Sequence, residues 1–555
     1  GTYTAKVNGH NAPLTVEVTV DANKILSIKT PDDQESLGVG KVGLKKTADN
    51  TLRYQSIGVD AVTGATFSSN ALKEGVEKCL KQAGADMKQF TRKAEKHPIH
   101  NRTYQADVVV IGGGGAGLAS AISSMQAGAK KVIVLEKLGY VGGSTNVSEG
   151  ALNAVDDQRQ KAQGIKDSYE TFYETTMHGG HDKGDPTLVR FLTSHSMDAV
   201  NWLESLGVKF NDHIGAATGS LGQRSHYPAT PYGNTYIRTF EKVIADSNGK
   251  IQVLLDTPAV KLIQNKSGRV VGVVGNNFGS KVTVMAKDGV IIATGGFGAN
   301  VAYRQKVNTG VWKNIKLDNS IGCTNIQKAA QGQGLFLAQK VGAKLIGLSD
   351  IQIHPCGTPG TGLMENIRTS GRNRIFVNSD GNRFVNEGAA RDVLANAIFQ
   401  QKGRTYWIVV NKLRYPTPDF KDRMGASIRN MEALGAVVEA PTLDELAKKT
   451  GMNAENLKKA IADYNAVVSG KAKDKLGFVA NNKDDKQMTE GPWYACRKVP
   501  TVHHTMGGIK INVKSQVINT KGKVIPGLYA VGEVTGGIHG SNRLGGNAIA
   551  DIMTF

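Results

Sequence analysis

The sequence predicts an α/β protein in which a small α+β module precedes a larger domain built on a parallel sheet. Three observations support this fold class. Residues 107–136 read as strand, glycine-rich turn, helix and second strand, the order of a βαβ unit. Residues 1 to about 85 begin with alternating apolar and polar positions, and from about 346 to 499 the βαβ rhythm is lost. The predicted boundaries are 1–87, a linker at 88–103, a first part at 104–346, an inserted domain at 347–498 and a second part at 499–555.

The composition favours a cofactor-binding enzyme over a nucleic-acid-binding protein. Hydrophobic residues make up 40% of the chain, and its 66 glycines cluster in motifs. The net charge is +20, but the lysines and arginines are scattered and no basic run is interleaved with aromatic residues, so we expect no nucleic-acid partner. The positive charge either steers an anionic substrate or an acidic redox partner, or serves only solubility.

The cysteines and the apolar runs exclude several other classes. The four cysteines form neither a CxxC pair nor a CxxCH site, so we expect no haem, no iron–sulfur cluster and no metal ion on this chain. No apolar run reaches the roughly 18 residues of a membrane span, and we expect a protein that is not a membrane protein. The chain starts at Gly1 without Met and ends at Phe555 within an expected helix. We therefore expect a removed leader, although an artificial boundary gives the same start, and a continuation beyond Phe555.

The N-terminal module is expected to contain strands at 14–20 and 25–28 and a helix at 68–83. Before the helix lies Asp60-Ala-Val-Thr-Gly-Ala-Thr66-Phe-Ser-Ser69. In structural terms, Thr66 or Ser68 is an N-cap, and the free N–H groups at such a helix start also favour a phosphate. The segment resembles the flavinylation motif of FMN-binding domains in bacterial respiratory flavoproteins. That resemblance implies FMN joined covalently to Thr66 through a phosphoester bond.

A dinucleotide-binding turn follows the first strand of the larger domain. The apolar strand 107–111 runs into Gly112-Gly-Gly114-Gly-Ala-Gly117, a helix is expected at 118–127, and the second strand, 131–135, ends in Glu136. Gly112 permits the turn, Gly114 admits the pyrophosphate, and Gly117 lets the helix pack on the sheet. Glu136 is placed to accept from ribose hydroxyls. This context predicts dinucleotide binding.

Further glycine-rich turns favour FAD over NAD. They lie at 142–145, at the end of the strand before Gly295-Gly296, and at Gly532-Glu533. The pattern resembles the flavoprotein subunits of succinate dehydrogenase and fumarate reductase, and more closely the soluble fumarate-reductase-like enzymes. It implies a Rossmann-like FAD domain. Ser144-Thr145 stand where membrane-bound relatives join a histidine to FAD, so noncovalent FAD is expected. The residues expected to bind FAD are Gly112, Gly114, Gly115, Ala116, Gly117, Glu136, Lys137, Gly142, Gly143, Ser144, Thr145, Gly295, Gly296, Glu533, Gly546 and Asn547.

Residues 347–498 resemble the α+β clamp domain that closes over the flavin in this family. Taken alone, Glu365 and Arg368 are an ordinary surface ion pair worth less than about 1 kcal/mol. By resemblance, Arg391 delivers a proton to substrate carbon, and Glu365 and Arg368 replenish that proton from solvent. The matching substrate-binding residues are His354, Met364, His503 and Arg543, of which His503 and Arg543 suit a carboxylate.

The implied reaction is hydride transfer from flavin N5 to an α,β-unsaturated acid, with Arg391 protonating the α-carbon. Fumarate reductases usually have threonine where this chain has Met364, and methionine offers no donor for a second carboxylate. His354 favours fumarate, and it counts against urocanate because urocanate reductases tend to carry tyrosine there. The sequence favours an enoate with one carboxylate, such as an acrylate or arylacrylate, over fumarate.

Three further expectations concern partners and rival functions. The two-module layout implies a periplasmic enzyme whose FMN receives electrons from a membrane-linked donor, such as a quinol-oxidising cytochrome. A ketosteroid dehydrogenase on the same fold needs tyrosine-based acid–base chemistry instead of His503, Arg391 and Arg543. A flavin electron carrier without its own substrate is the rival from another class, and such a carrier does not need Arg391.

Overall fold

The N-terminal module is a three-stranded antiparallel sheet covered by helices. The structure is a computed structural model that describes residues 1–94, 96–230 and 233–555. Helix α2 packs on β1 and β2, and the expected helix at 68–83 is confirmed with a start at Thr66. Residue 95 of the predicted linker lies outside the described residues. The elements are β1 (Thr2–Asn8), β2 (Pro13–Val20), β3 (Ile25–Lys29), α1 (Gly40–Tyr54), α2 (Thr66–Gln82) and α3 (Met87–Phe90).

The larger domain is built on an eight-stranded sheet whose central strands are parallel. Its first half supplies the expected strand, turn, helix and strand as β4, α4 and β5. All four residues of β5 are buried, as an apolar run covered on both faces of a sheet must be. The elements are β4 (Arg102–Ile111), α4 (Gly115–Gln126), β5 (Val132–Leu135), β6 (Leu152–Asn153), α5 (Asp157–Ala162), α6 (Tyr169–Gly179), α7 (Pro186–Ser205), β7 (Ser225–His226), α8 (Asn234–Ala245), β8 (Ile251–Leu254), β9 (Ala259–Gln264), β10 (Val270–Asn277), β11 (Ser280–Ile292), α9 (Val301–Lys306), α10 (Gln333–Lys340) and β12 (Leu345–Ile346).

The inserted domain has its own mixed layer of strands and helices. Strand β17 pairs with β13, β15 and β16, and β15 pairs with β14. The predicted boundary between residues 498 and 499 lies inside β17, because this strand continues without a break from the inserted domain toward the flavin domain. The elements are β13 (Ile351–Gly357), β14 (Ile375–Val377), α11 (Arg391–Phe399), β15 (Tyr406–Asn411), α12 (Ile428–Ala433), β16 (Val438–Ala440), α13 (Leu443–Thr450), α14 (Ala454–Val468) and β17 (Trp493–Thr505).

The C-terminal residues return to the large sheet and complete it. Strand β20 lies parallel to β11, so the sheet order is β19-β20-β11-β4-β5-β8, and the arm of β11 also pairs with β10 and through it with β9. Among the described residues no helix is long and apolar enough to cross a membrane. The closing elements are β18 (Gly508–Lys510), β19 (Gln516–Ile518), β20 (Val524–Ala530), β21 (Thr535–Gly536) and α15 (Asn547–Thr554).

The N-terminal module docks on the turn that follows β5. Val62 and Ala65 pack with Leu138 and Tyr140 in one buried apolar cluster. The Tyr140 hydroxyl donates a 3.0 Å hydrogen bond to the carbonyl of Gly64. Gly64 has φ of +91°, and a Cβ there would lie 2.7 Å from the Tyr140 oxygen. The turn before Thr66 therefore needs glycine both for its conformation and for its contact with the larger domain.

Candidate active site

A cavity lies at the carboxyl ends of the parallel strands, where open α/β sheets bind nucleotides. The glycine-rich turn after β4 and the turn after β11 form two of its walls. Most of the residues expected to bind FAD line this cavity, namely Gly112, Gly114, Gly115, Ala116, Glu136, Lys137, Gly143, Ser144, Thr145, Gly295, Gly296 and Glu533.

The glycines leave space for a ligand against bare backbone. A Cβ on Gly295 would meet no atom within 4 Å, and a Cβ on Gly114 would meet only the Gly142 carbonyl at 3.8 Å. The N-cap of α4 is Gly114, which has no side chain to cap the helix, so the first N–H groups of α4 are available to a pyrophosphate. The donor set and the open backbone fit FAD.

Three of the expected residues lie behind the wall of this cavity. A Cβ on Gly117 would lie 1.8 Å from the Gly112 carbonyl, so Gly117 permits the close packing of α4 on the sheet. Gly142 bridges to Gly114 with φ of +111°. Asn547 is fully buried and accepts a 2.8 Å hydrogen bond from Asn153. These residues shape the site without bordering the cavity.

Glu136 occupies the position expected for ribose binding. One carboxylate oxygen accepts from the Gly113 N–H and the other from the Leu138 N–H, both at 2.7 Å. Burial raises the pKa of Glu136, while the two backbone N–H donors lower it. Each oxygen keeps a lone pair for a hydroxyl group, so the side chain is held in place for a diol.

A second cavity adjoins the first and shares part of its lining. Five residues line both cavities: Ser144, Thr145, Asn325, Glu533 and Ile552. Five of the seven residues expected in catalysis or substrate binding also border the second cavity, namely His354, Met364, Arg391, His503 and Arg543. A ligand here lies next to a ring bound at the junction, which is the arrangement that hydride transfer requires.

Arg391 is held by two hydrogen bonds that fix its guanidinium at the cavity. Its Nε donates to the Thr218 carbonyl at 2.9 Å and its Nη1 donates to Gln352 Oε1 at 3.1 Å. It is the first residue of α11, where the helix dipole disfavours a cation. Burial lowers the pKa of Arg391 well below its usual range, and the nearby positive charge of Arg543 lowers it further. Both causes make this arginine a better proton donor than an exposed one.

Arg543 presents an unpaired donor inside the protein. It is 4% exposed, and among the described residues its Nε has no hydrogen-bond partner, while Nη1 donates to its neighbour's carbonyl at 3.2 Å. Burial lowers the pKa of Arg543 to about 10, although the negative charges of Glu533 and Asp551 act to raise it. An unpaired donor on a buried cation is costly, and a carboxylate ligand would satisfy it.

Three histidines complete the polar lining in neutral form: His504, whose pKa burial lowers well below its usual value, and the neighbouring pair His354 and His503. The ring centroids of that pair are 4.7 Å apart, and burial lowers the pKa of both His354 and His503 well below the usual value. The Cys356 N–H donates to His354 Nδ1 at 3.0 Å, so the proton of the neutral ring lies on Nε2. His503 Nδ1 lies 2.6 Å from the Thr324 hydroxyl, which fixes its ring. Positive charge in the cavity therefore comes from the arginines.

Glu365 and Arg368 are not paired with each other as a surface ion pair would be. Glu365 forms its ion pair with His10, at 2.7 Å, and Arg368 lies 3.8 Å from Glu149. Neither Glu365 nor Arg368 borders the second cavity, whereas Glu149 does. The carboxylate of Glu149 also opposes the fall in the pKa of Arg391. Glu149 forms its direct ion pair with Arg423, at 2.8 Å, and it is a carboxylate of this cavity that sequence reasoning missed.

The sequence carries only a weak signal for the missed residues. Glu149 stands between Ser148 and Gly150, just after the predicted flavin turn, where a charged residue is unusual among small ones. Gln352 stands two residues before His354 and belongs to no motif. In the structure its amide donates to Asn542 Oδ1 at 3.0 Å and to the Arg543 carbonyl at 2.7 Å. It thereby links the two buried arginines.

Replacing Gln352 with methionine is expected to lower kcat about 10- to 100-fold while KM changes little. The change removes the acceptor that positions Arg391, and a misplaced catalytic group costs about that much in rate. Steady-state kinetics with a reduced dye and an unsaturated acid measure it. Gln401→Met, at a half-buried clamp glutamine bonded to Asn378, is the matched control. An unchanged kcat in the Gln352→Met protein would contradict the positioning role.

The segment around Thr66 fits a covalently held phosphate. Thr66 is exposed and is the first residue of the 17-residue helix α2. The preceding residue, Ala65, forms no side-chain cap, so the first N–H groups of α2 are free of such a partner. The alternative, Thr66 as an N-cap, is not what the structure shows, because Ala65 occupies that position.

Two family models match the chain. A model described as FAD binding domain matches residues 107–549, and one described as FMN-binding domain matches residues 9–81. The two matches lie within the larger part and the N-terminal module, respectively.

Relatives with known activities align over the whole chain or most of it. The chain is 34% identical over its full length to the NADH:acrylate oxidoreductase of Vibrio harveyi, and it spans 60% of that protein. It is 34% identical over its full length to the urocanate reductase of Eggerthella lenta, of which it covers 90%. Among solved structures, the open conformation of a flavocytochrome c3 fumarate reductase aligns with a TM-score of 0.63 and 35% identity, covering 81% of this chain and 77% of that one.

Proposed function

This chain belongs to the flavoprotein family defined by the FAD binding domain, with an FMN-binding domain at its N-terminal end, and from that premise we propose that it reduces the C=C bond of an α,β-unsaturated carboxylate. The observation that carries the proposal is the second cavity, which adjoins the flavin cavity and is lined by two buried arginines and three neutral histidines. A cavity so rich in buried positive charge needs an anionic ligand.

Each polar residue of the cavity has a role in this reaction. Arg543 and His503 bind the carboxylate, and the unpaired Nε of Arg543 supplies one of the hydrogen bonds. Binding there draws electron density from the double bond and prepares the β-carbon for attack. Arg391 donates the proton to the α-carbon, and its charge stabilises the enolate that develops beside it.

The two flavins divide the redox work. Bound FAD supplies the hydride, and FMN supplies the electrons that replace it. We propose that FMN is attached covalently to Thr66 and that FAD is bound without a covalent bond. The docking of residues 62–65 on Leu138 and Tyr140 supports electron transfer between the two flavins. Leu138 and Tyr140 belong to the turn that leads, a few residues later, to Gly143 in the lining of the flavin cavity. The two cofactor sites are thus joined by a short path through packed residues.

The apolar part of the cavity favours a substrate with one carboxylate. Met364 lines it together with Val147, Ala151 and Ala217, and none of these side chains carries a hydrogen-bond donor. An acrylate or arylacrylate places its apolar substituent against this wall. Fumarate would leave its second carboxylate there without a donor from Met364.

Fumarate is the second candidate, and His354 favours it. Its Nε2 carries the proton of the neutral ring and lies in the lining of the cavity, so it can donate to a second carboxylate. The substrate class therefore depends on which residue contacts the substituent on the far carbon of the double bond. Contact with Met364 favours an apolar substituent, and contact with His354 favours a second carboxylate.

Replacing Met364 with threonine is expected to raise kcat/KM for fumarate relative to acrylate about 10- to 100-fold. The new hydroxyl can donate to the second carboxylate, and a hydrogen bond to a charged group is worth about 1.5–3 kcal/mol. Competition assays with the two acids measure the ratio. Met364→Leu keeps an apolar side chain of similar volume and should leave the ratio unchanged. A ratio equally unchanged in Met364→Thr would mean that this position does not contact the substituent.

The proposed function is tested by a substrate panel. Fumarate, acrylate, methacrylate, cinnamates, urocanate and itaconate are each assayed by the oxidation of reduced methyl viologen. Turnover of a one-carboxylate acid above fumarate is the expected result. Preference for fumarate by orders of magnitude would favour the second candidate, and no turnover of any acid would favour an electron carrier.

The electron donor and the location are part of the same proposal. We propose a periplasmic protein whose FMN is reduced by a membrane-linked donor, such as a quinol-oxidising cytochrome. The net charge of +20 supports an acidic docking partner because it would speed encounter at low ionic strength.

A further inference from the structure

One histidine of the N-terminal module, His10, contacts the clamp domain. His10 follows β1 in the short turn before β2, and its Nε2 lies 2.7 Å from Glu365 Oε1. Glu365 is a member of the expected proton relay, yet its ion-pair partner comes from the FMN-binding domain. About a third of the His10 side chain is exposed, so its ring can exchange protons with water.

The oxygen atoms that face the His10 ring indicate that both ring nitrogens carry protons. Nε2 faces the Glu365 carboxylate, an acceptor, and Nδ1 lies 2.9 Å from Asn11 Oδ1. The amide nitrogen of Asn11 donates to the Gln34 carbonyl at 3.1 Å, which orients its oxygen toward the ring. A ring with an acceptor oxygen within about 3 Å of each nitrogen, one of them a carboxylate, is an imidazolium ion.

A buried carboxylate holds the His10 turn against the helix that begins with Thr66. The backbone N–H of Asn11 donates to Glu35 Oε1 at 2.9 Å, and the Ser68 hydroxyl of α2 donates to the other oxygen of Glu35. The His10 ring also contacts the ring of Phe67 edge-on, with centroids 5.5 Å apart. The residue next to the proposed FMN attachment site thus touches the residue that contacts Glu365.

We propose that His10 is the proton donor to Glu365, so that the FMN-binding domain completes the proton relay of the clamp domain. This inference rests on the proposed function. In each turnover the Nε2–H bond of His10 breaks and its proton moves to Glu365. Glu365 passes a proton on through Arg368, the other member of the expected relay, and this transfer restores the proton that Arg391 gave to substrate carbon. His10 then takes a proton from water. No electron moves in this step, because the electron pair of the reduction travels with the hydride.

Charge around His10 holds the resting pair as imidazolium and carboxylate. Burial raises the pKa of Glu365, but the contact and charge of His10 lower it overall, so His10 gives up its proton only in step with onward transfer from Glu365. Burial lowers the pKa of His10, but the hydrogen bond and charge of Glu365, with smaller effects of Asn11 and Glu35, raise it to about 9. His10 is therefore protonated at neutral pH and loses its proton as the pH rises through about 9. The charged groups that face it are Glu365 of the clamp and Glu35 of its own module.

Replacing His10 with glutamine is expected to slow enoate-dependent reoxidation of the reduced enzyme about tenfold. General acid–base groups contribute about 10²–10⁴-fold, but water also reaches the partly exposed Glu365 and replaces part of the function. Stopped-flow mixing of the pre-reduced full chain with the best enoate of the panel measures this half-reaction. Reduction of the flavins by methyl viologen, followed without enoate, should keep its rate, since a proton donor to Glu365 is not needed there.

Three controls separate a proton donor from a merely structural contact. His213→Gln changes an exposed histidine of the flavin domain and should behave as the unmodified protein. Imidazole in the buffer should restore part of the rate to His10→Ala. In a cycle with Glu365→Gln, the double variant should be no slower than Glu365→Gln alone, because the two groups act in series.

Each outcome of the experiment decides one point. If the unmodified protein is reoxidised by no enoate, the proposed function fails before His10 is tested. If it is reoxidised and His10→Gln keeps both the rate and its fall above pH about 9, the proton-donor role of His10 is overturned. Slowing of flavin reduction and reoxidation together, without imidazole rescue, would also overturn it and indicate that His10 only docks the module.

Discussion

Arg391→Met is expected to lower kcat for enoate reduction by at least about 10³-fold, with flavin content unchanged. The change removes both the proton donor, worth about 10²–10⁴-fold, and a cation beside the developing enolate, worth about 10²–10³-fold. Since Arg391 is buried next to Arg543, its removal also relieves the desolvation and repulsion that lower its pKa. We therefore expect a Tm that is equal or higher, so lost activity is not lost folding.

The measurement is steady-state oxidation of reduced methyl viologen at saturating enoate, with thermal unfolding in parallel. Arg391→Lys keeps the charge, but one ammonium cannot repeat the fork that bonds the Thr218 carbonyl and Gln352. We expect a loss of about 10²-fold for it. Arg429→Met, at an exposed clamp arginine paired with Asp419, is the matched control and should keep full activity. An electron carrier would keep its dye activity in all three variants, and that result would refute the reductase mechanism.

Thr66→Val is expected to abolish covalent FMN and to stop electron transfer from any donor too large to approach FAD directly. The hydroxyl is the only atom of Thr66 that can form the phosphoester, and valine has the same shape without it. Thr66 is exposed and Ala65, not Thr66, is the N-cap, so the change should alter the free energy of unfolding by less than about 0.5 kcal/mol.

Intact mass after acid denaturation measures the attachment, because only covalent flavin survives that treatment. Thr2→Val, at an exposed threonine on β1 of the same module, should keep the full adduct. Thr66→Ser should keep it as well, since it retains a hydroxyl on the same helix. The adduct of FMN on the Thr66→Val protein would disprove attachment at this residue. Reduced methyl viologen, which is small, should still support turnover in Thr66→Val.

Local patterns in the chain were sufficient to predict the two cofactor modules. The apolar runs of β4 and β5, the glycines between them and the Asp60–Thr66 motif are each contiguous, and the family matches at 107–549 and 9–81 agree with them. Such patterns reflect requirements of the backbone itself, namely a covered parallel strand, a left-handed turn and a bare helix start. The sequence also supplied the expected lining of the substrate cavity through a resemblance, and five of those seven residues do meet there.

Only the tertiary structure decided which charged groups face one another. Glu365 and Arg368 are three residues apart in the sequence, a spacing that suggests an ion pair between them. In the folded chain Glu365 forms its ion pair with His10, and Arg368 lies near Glu149. Gln352 belongs to no sequence motif. Its positioning role comes from its hydrogen bonds to two buried arginines, Arg391 and Arg543. The physical reason is that long-range packing and desolvation determine which charged group a side chain faces. The spacing of neighbouring residues in the sequence determines neither of them.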